Sequence, residues 1–310
     1  MSETIGTVAL MSPGDMGHAI GRTLRAGGRR VITCLEGRSA RTAALAAAAG
    51  IEAVADDATL VREADALLAV LVPSEAAALG ERIAAALERT GASLLYADLN
   101  AISPRTVQGI GVRLEAAGAR FVDGGIIGGP PRQGQAGPRP GGAGTRVYVS
   151  GADAPELAQL SGDGLTVRVM GERIGEASGL KMCYAALTKG VTALATELLV
   201  AAEVMGLAAP LRAELEGSQG GQWAALQRGI PGMPPKAYRW VGEMEEIAAT
   251  FADLGLTPRL LEGAADVYRL VARSPLGAET PEVRHLGQTA EDAVAVLAAT
   301  VRQEATLPAR

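Results

Sequence analysis

The sequence predicts an α/β domain built around a parallel sheet, followed by an all-α domain. Up to about Gly171, short β-rich apolar segments alternate with alanine-rich helical segments, which is typical of a parallel sheet covered by helices. After Gly171 the β-rich segments stop, and a long run of small and apolar residues begins near Gly175. We therefore predict an α/β domain over residues 1–171 and an interdomain helix with an all-helical domain over residues 172–310.

The elements of the first domain follow from local pattern. The predicted strands read, in chain order, TVALM, RVITCL, ALLAVLV, SLLYADL, ARFVDGGII, RVYVSG and LTVRVMG. The predicted helices cover residues 16–26, 40–49, 74–88 and 103–117. From Glu176 onward the pattern is helical to the C-terminus.

Composition argues against some classes of partner. The 310 residues carry a net charge of −5, so the chain lacks the basic field that holds a nucleic-acid backbone. Two cysteines without CxxC spacing and two histidines predict neither a disulfide framework nor a metal site. The N-terminus has no basic leader, and no segment reads as a membrane span. We expect a soluble, cytoplasmic protein that binds neither nucleic acid nor membrane.

A glycine-containing loop joins the first strand to the first helix. In MSPGDMG, residues 11–17, Gly14 and Gly17 fit the second and third glycines of the G-x-G-x-x-G fingerprint, and Ser12 takes the first position. Such a loop brings the free N–H groups of a helix N-terminus to a pyrophosphate. It predicts a Rossmann-type dinucleotide-binding domain, although an ordinary turn can have the same pattern. The predicted cofactor-binding residues of this loop are Ser12, Pro13, Gly14, Asp15 and Met16.

The end of the second strand, CLEGRS, is where this fold selects its nucleotide. Arg38, Ser39 and Arg41 offer charge-assisted hydrogen bonds to a ribose phosphate, which predicts NADP. Glu36 is an acid that can bind ribose hydroxyls instead, so NAD stays an alternative. A solvated helix start is the other interpretation of either arginine.

The later strands end in LVPSE, ADLNAISP and VDGGIIGGPP, and a parallel sheet places its ligands at these carboxyl ends. Val72 and Pro73 form a tight turn that is predicted to contact the cofactor. Asn100 offers an amide to a nicotinamide or a substrate, and Gly128 with Gly129 leaves backbone open to a substrate. Ordinary turns and caps explain each of these residues equally well.

The long apolar helix carries Lys181 near its start. A helix of about thirty residues, predicted over 177–207 and apolar nearly all round, needs more cover than one small domain supplies, so we predict a homodimer. Lys181 either extends its ammonium to water or is held in a packed environment that eases loss of its charge, as a general acid or base requires. The Gly/Pro-rich segment 130–145 is interpreted either as a surface excursion or as a mobile lid.

With these residues assembled, the chain resembles the beta-hydroxyacid dehydrogenase family, which includes hydroxyisobutyrate and phosphogluconate dehydrogenases. The motifs that carry the resemblance are DLNAISP, VDGGIIG, ASGLKM and YRWVGEMEEIA. They are similar to those of a poorly characterised subgroup with a phosphogluconate-dehydrogenase-like N-terminal domain and its own C-terminal helical domain. The resemblance implies a Rossmann-type domain, a long interdomain helix, an all-helical domain and a dimer.

The resemblance also implies roles for site residues. Lys181 matches the family lysine that hydrogen-bonds the substrate oxygen and moves its proton during hydride transfer. The family's substrate-binding Ser-Gly-Gly is altered at its first position, and the asparagine that usually follows the lysine by one turn is Ala185. The neighbouring Tyr184 is interpreted either as its partial substitute or as a core residue. The resulting candidates are, for catalysis, Lys181 and Asn100, and for substrate binding, Ile127, Gly128, Gly129, Tyr184 and, on a second copy of the chain, Trp240.

Three functions are compatible with these residues. The first is an NADP-dependent oxidoreductase that interconverts a hydroxyl and a carbonyl, with Lys181 as proton donor or acceptor. The second is an imine reductase, an enzyme of similar dimeric scaffold that generally lacks this lysine. The third is a cofactor-binding dimer without turnover, which leaves Lys181 unexplained.

Overall fold

The computed structural model describes residues 4–131, 144–162, 164–281 and 283–306. The chain forms two compact units, Met1–Met182 and Cys183–Arg310. The first unit contains the whole sheet and the start of a long helix, and the second contains the rest of that helix and the remaining helices. The division after residue 171 was drawn from composition rather than contacts, and it stays a prediction.

The first unit alternates strands and helices as the sequence predicts. Its strands are β1 (Thr7–Met11), β2 (Arg30–Cys34), β3 (Glu52–Val54), β4 (Ala66–Ala69), β5 (Leu95–Asp98), β6 (Arg120–Ile127), β7 (Thr145–Ser150) and β8 (Leu165–Val169). Its helices are α1 (Gly17–Ala26), α2 (Ala40–Ala48), α3 (Asp57–Glu63), α4 (Ala76–Thr90) and α5 (Pro104–Ala116). Two short elements, β3 and α3, were missed because each is too brief to show a period.

The eight strands form one sheet in the order β3-β2-β1-β4-β5-β6-β7-β8. Strands β1 to β6 are parallel, β7 runs antiparallel to β6, and β8 is parallel to β7. The order 3-2-1-4-5-6 is that of the Rossmann fold, so the predicted fold class is confirmed. In this fold ligands bind at the carboxyl ends of the strands, beside the point where strand order reverses.

Local sequence explains where three of these helices begin. Ser39, Asp56 and Ser103 precede α2, α3 and α5, and each side chain accepts a hydrogen bond from the backbone N–H three residues later. Pro104 then takes the first helical position of α5, where its missing N–H costs nothing. These caps satisfy N–H groups that a helix start would otherwise leave free.

Apolar side chains cover both faces of the sheet. On one face Ile83 and Leu87 of α4 belong to a cluster with Tyr96 and Phe121, whose rings stack with centroids 5.8 Å apart. On the other face, Ile20 and Leu24 of α1 are fully enclosed. Burying a side chain of this size contributes roughly 1.5–3 kcal/mol, so the two layers hold the strand ends in place.

The long helix α6 spans Glu176–Val204, close to the predicted 177–207. The later helices are α7 (Ala208–Ser218), α8 (Gly220–Gly229), α9 (Ala237–Asp253), α10 (Arg259–Arg273) and α11 (Ala290–Thr306). By length and composition alone α6 could cross a membrane, and 39% of its most apolar window is buried within the protein. This finding corrects the expectation that no segment reads as a membrane span, and a buried core helix has the same length and composition. Most of the predicted lid, residues 132–143, lies outside the described residues.

Candidate functional site

The loop after β1 makes a tight turn through a residue that is not glycine. Among the described residues, Ser12 is the single non-glycine residue with a positive φ, 60°. This left-handed conformation is the one that the first fingerprint glycine usually supplies. The N–H of Gly14 donates to the carbonyl oxygen of Ser12 at 2.6 Å, which closes the turn. Ser12 therefore performs the backbone role of the glycine that it replaces.

The two glycines of the loop serve different purposes. A Cβ at Gly17 would lie 3.0 Å from the Ser12 carbonyl oxygen and 3.2 Å from a Leu10 methyl, so Gly17 permits close packing of α1 on β1. A Cβ at Gly14 would meet nothing nearer than 3.9 Å, so this backbone is open to an approaching group. Helix α1 begins at Gly17 without a side-chain cap, and in its first turn the His18 N–H donates to the Gly14 carbonyl oxygen at 2.9 Å. The loop fits the pyrophosphate of a dinucleotide.

The residues predicted to select the nucleotide lie at the start of α2. Arg41 pairs with Asp15 of the glycine loop, with 2.6 Å between Nη2 and Oδ1. Arg38 follows Gly37, which has a φ of 69°, and its N–H donates to the carbonyl of Leu35 at 3.0 Å. The turn therefore brings both arginines to the carboxyl end of β2.

Ser39 has a structural task that sequence reasoning did not assign. Its Oγ accepts the N–H of Thr42 at 3.2 Å and so caps α2. The hydroxyl also lies 3.1 Å from the Thr42 hydroxyl.

Asn100 links the carboxyl ends of β4 and β5. Its Oδ1 accepts the N–H of Leu71 at 2.6 Å, and its own N–H donates to Asp98 Oδ1 at 2.9 Å. Its Nδ2 is buried and meets no hydrogen-bond partner within the part of the chain that the structure describes. A buried amide donor without a partner is costly, so this Nδ2 is suited to an oxygen of a bound molecule. Val72 and Pro73 follow Leu71 and lead into α4.

Asp98 is a buried acid that sequence reasoning missed. Burial, with the nearby Asp123 carboxylate, raises the pKa of Asp98 from 3.8 to about 7, although its bond from the Asn100 N–H opposes this. Asp98 and Asp123 are register partners on β5 and β6, and both are fully buried. Acids at the ends of two neighbouring strands, in ADLN and VDGG, were the available signal.

Asp123 caps the first turn of α6. Its carboxylate accepts hydrogen bonds from the N–H groups of Gly175, Ala177 and Ser178 and from the hydroxyls of Ser150 and Ser178, at 2.7 to 3.1 Å. The positive end of a helix and five donors stabilise a buried carboxylate. The start of α6 is therefore anchored to β6.

Lys181 lies against the same strand. It is half-buried, and a Cβ at Gly125 would lie 2.7 Å from the Lys181 Cβ, so the lysine stem rests directly on the strand backbone. Gly125 and Asn100 each follow the paired aspartates by two residues, so lysine and amide lie at the same end of the sheet. Within the first unit, the glycine loop, Asn100 and Lys181 thus lie along the carboxyl-end side of the parallel strands.

The predicted substrate loop is mainly a structural turn. Ile127 is buried at the end of β6 and presents no hydroxyl. Gly128 has a φ of 110°, and a Cβ there would collide with the carbonyl oxygen of Gly144. The Thr145 hydroxyl donates to the carbonyl of Gly129 at 2.5 Å. Substrate contact by these residues stays a prediction.

Tyr184 and Trp240 belong to the second unit. Tyr184 is 44% exposed on α6. Trp240 packs edge-on against Tyr268 with centroids 5.2 Å apart, and the Lys189 ammonium lies 5.2 Å from the Trp240 ring centroid. Trp240 is thus part of a packed cluster, and its predicted contact with substrate is untested.

The fold and this site define the class as proteins that bind a nicotinamide dinucleotide. Residues 7–147 match the NAD binding domain of 6-phosphogluconate dehydrogenase, and residues 202–271 match a domain of unknown function, DUF1932. This pair of domains, together with the fold, confirms the predicted resemblance to the beta-hydroxyacid dehydrogenase family and to a subgroup with its own C-terminal domain.

Two proteins without an established function are similar to this chain over most of its length. An uncharacterised 28.5 kDa protein of Methanothermus fervidus is 26% identical over 240 residues, which cover 77% of this chain and 88% of that protein. A conserved protein of unknown function, described as structurally similar to 3-hydroxyacid dehydrogenases, is 28% identical with a TM-score of 0.59, over 86% of this chain and 96% of its own.

Two enzymes share the fold at lower identity. The 3-hydroxyisobutyrate dehydrogenase of Mycobacterium tuberculosis is 21% identical with a TM-score of 0.62, covering 97% of this chain and 99% of its own. An imine reductase of Myxococcus stipitatus is 16% identical with a TM-score of 0.52, covering 95% and 99%. The chain therefore has the fold and the NAD-binding domain of NAD(P)-dependent oxidoreductases.

Proposed function

We propose that the protein is an NADP-dependent oxidoreductase that interconverts a hydroxyl and a carbonyl, with Lys181 as the general acid or base. The observation that carries this proposal is the packing of the Lys181 stem on Gly125, at the strand ends where the fold places its ligands. The contact holds the lysine stem at the same end of the sheet as Asn100.

In the proposed reaction Lys181 and Asn100 have different roles. A bound nicotinamide dinucleotide supplies the hydride acceptor or donor. In the oxidative direction Lys181 Nζ would accept the hydroxyl proton, and in the reductive direction it would return a proton to the carbonyl oxygen. The buried Asn100 Nδ2, which makes no hydrogen bond among the described residues, would donate to a nicotinamide or substrate oxygen.

Preference for NADP is supported by Arg38 and Arg41 at the end of β2. A 2′-phosphate adds charge-assisted hydrogen bonds that the ribose hydroxyls of NAD do not match. Asp15 already holds Arg41 near the glycine loop.

We further propose that the protein is a cytoplasmic homodimer. Tyr184, Leu187 and Leu194 of α6 are 44%, 67% and 62% exposed, an apolar face at helical spacing. A second copy of the chain is the expected cover. Light scattering at micromolar concentration tests this, and a monomer would count against it.

The experiment that tests the activity is a nicotinamide-absorbance screen against hydroxy acids, ketones, aldehydes and imines. Turnover of a hydroxyl–carbonyl pair that is lost in Lys181→Met supports the proposal. Reduction of imines alone, or activity that is unchanged in Lys181→Met, overturns it. Cofactor binding without turnover of any substrate favours a non-catalytic role.

A further inference from the structure

We propose that Asp123 is the positioning residue for Lys181: through the first turn of α6 it holds the lysine stem on Gly125. This inference rests on the proposed function of Lys181. Asp123 itself touches neither substrate nor cofactor in this proposal.

The capping of α6 differs from that of the earlier helices. Helices α2, α3 and α5 are capped by the residue that immediately precedes them in sequence. Helix α6 instead receives its cap from a strand residue, 52 to 55 positions earlier in the chain. A local cap fixes only where a helix begins, whereas a cap on a sheet strand also fixes where the helix lies.

The cap is a closed polar cluster. Asp123, Ser150 and Ser178 are all fully buried, and the two hydroxyls donate to Asp123 at 2.9 and 2.7 Å. The Ala177 N–H lies 3.0 Å from Asp123 Oδ2 and 3.1 Å from the Ser150 hydroxyl. Because all of these groups are out of water, each lost hydrogen bond leaves a buried partner unsatisfied.

The same strand supports the turn before the helix and the lysine after it. Gly175, with a φ of 106°, turns its N–H to Asp123. A Cβ at Gly125 would meet the Ala177 carbonyl oxygen at 3.2 Å and the Lys181 Cβ at 2.7 Å. Residues 177 and 181 are one helical turn apart and share a face. Asp123 and Gly125 thus fix the two ends of the turn that carries the lysine.

The test compares Asp123→Asn with the matched control Asp65→Asn in the full-length protein. Asn places an N–H₂ group among N–H donors, so the cluster cannot close in the same way. Asp65 is an exposed carboxylate that also accepts two backbone N–H groups, from Gly6 and Thr7, at 2.8 Å each. Its variant therefore reports the effect of losing a backbone-binding carboxylate away from Lys181.

Two readouts are needed. The first is reductive methylation of Lys181 at a fixed pH, quantified by mass spectrometry against Lys236 in the same chain. A loosened first turn exposes the lysine, so we expect its labelling to rise by about threefold or more in Asp123→Asn while Lys236 is unchanged. The second is steady-state kinetics on a substrate from the screen: kcat should fall by about 10- to 100-fold with little change in KM or cofactor Kd.

A second variant displaces Lys181 without altering Asp123. Gly125→Ala leaves Asp123 intact but forces the Lys181 stem away from β6, so it should reproduce the fall in kcat. If Asp123→Asn does not fold, Ser178→Ala, which removes one bond to the cluster, takes its place with a smaller expected change in labelling.

The outcomes separate this inference from the proposed function. If Lys181 is labelled at the wild-type rate in Asp123→Asn, Asp123 does not position it, whatever happens to kcat. If labelling rises but the wild-type protein turns over no substrate, the positioning stands and the proposed function fails. If labelling rises while kcat is unchanged, Asp123 holds Lys181 in place but the proposed catalytic role of Lys181 is wrong.

Discussion

Two lysines of α6, Lys181 and Lys189, lie eight residues apart and differ in kind. The Lys181 stem rests on the bare backbone of Gly125, at the strand ends. The Lys189 ammonium pairs with Glu243, and the two side chains are only 12% and 9% exposed. The Tyr268 hydroxyl donates to the Lys189 carbonyl at 2.6 Å. The difference shows that burial of a lysine on an apolar helix does not identify its role, whereas the groups around it do.

The largest expected effect separates the two lysines by chemistry. Lys181→Met keeps much of the stem volume and removes the titratable nitrogen, so kcat should fall by about 10² to 10⁴. Cofactor affinity, measured by fluorescence titration, should stay close to wild type. Full activity in Lys181→Met would remove the distinction between the two positions.

Lys189→Met should act on stability instead. It leaves the Glu243 carboxylate buried without its ion-pair partner, so the free energy of unfolding should fall by about 3–5 kcal/mol. Urea denaturation measures this loss. Lys189→Met combined with Glu243→Gln should recover most of it, and a destabilisation that persists in the double variant would show that the ion pair is not the cause. Lys189→Met is therefore not a neutral control for Lys181→Met, because it is expected to destabilise the protein.

Asp98 extends the comparison to the sheet beneath Lys181. The folded state holds the Asp98 proton up to about pH 7, whereas the unfolded state releases it near pH 3.8. Between these values the unfolded state binds fewer protons, so stability should fall as pH rises from about 4 to 7 and then level off. The loss for this group is at most about 4 kcal/mol.

Asp98→Asn removes the titration and keeps an oxygen for the Asn100 N–H. Urea denaturation at pH 4.5 and pH 8 should show a stabilised variant at pH 8 and little change at pH 4.5. Equal pH dependence in variant and wild type would contradict this expectation.

Substitutions at the predicted NADP-selecting residues should change activity less than Lys181→Met does. Arg38→Ala should lower kcat/KM for NADP by about tenfold, since it removes one charge-assisted contact, and leave that for NAD nearly unaltered. Arg212→Ala, which removes an arginine of the second unit that pairs with Glu216, is the matched control and should not weaken NADP binding. Equal kcat/KM for the two nucleotides in the wild-type protein would overturn the NADP assignment.

The smallest effect is expected at Ser12. Ser12→Gly relieves a left-handed conformation and should raise the free energy of unfolding by up to about 1 kcal/mol, offset in part by the greater entropy of the unfolded chain. Thermal denaturation measures it. A clear loss of stability would mean that the serine side chain has a contact of its own.

Much of the first unit was predictable because its signals are local. Alternating β-rich and helical segments predict the order of elements, and the spacing of Gly14 and Gly17 predicts the loop that the structure forms between β1 and α1. Ser12 was identified as a departure from the fingerprint, and the structure shows how the backbone accommodates it. Asn100 was predicted from its position after a strand, and its burial and bond to Leu71 required the fold.

By itself the sequence determined where strands and helices occur and which turns carry glycine, because propensity and periodicity act within a few residues of the chain. Only the tertiary structure decided which buried polar groups meet. The register of β5 and β6 sets Asp98 beside Asp123, and packing brings Asp123 to the start of α6 and Glu243 to Lys189. These partners are far apart in sequence, and a buried charge is stabilised only by groups that packing delivers to it.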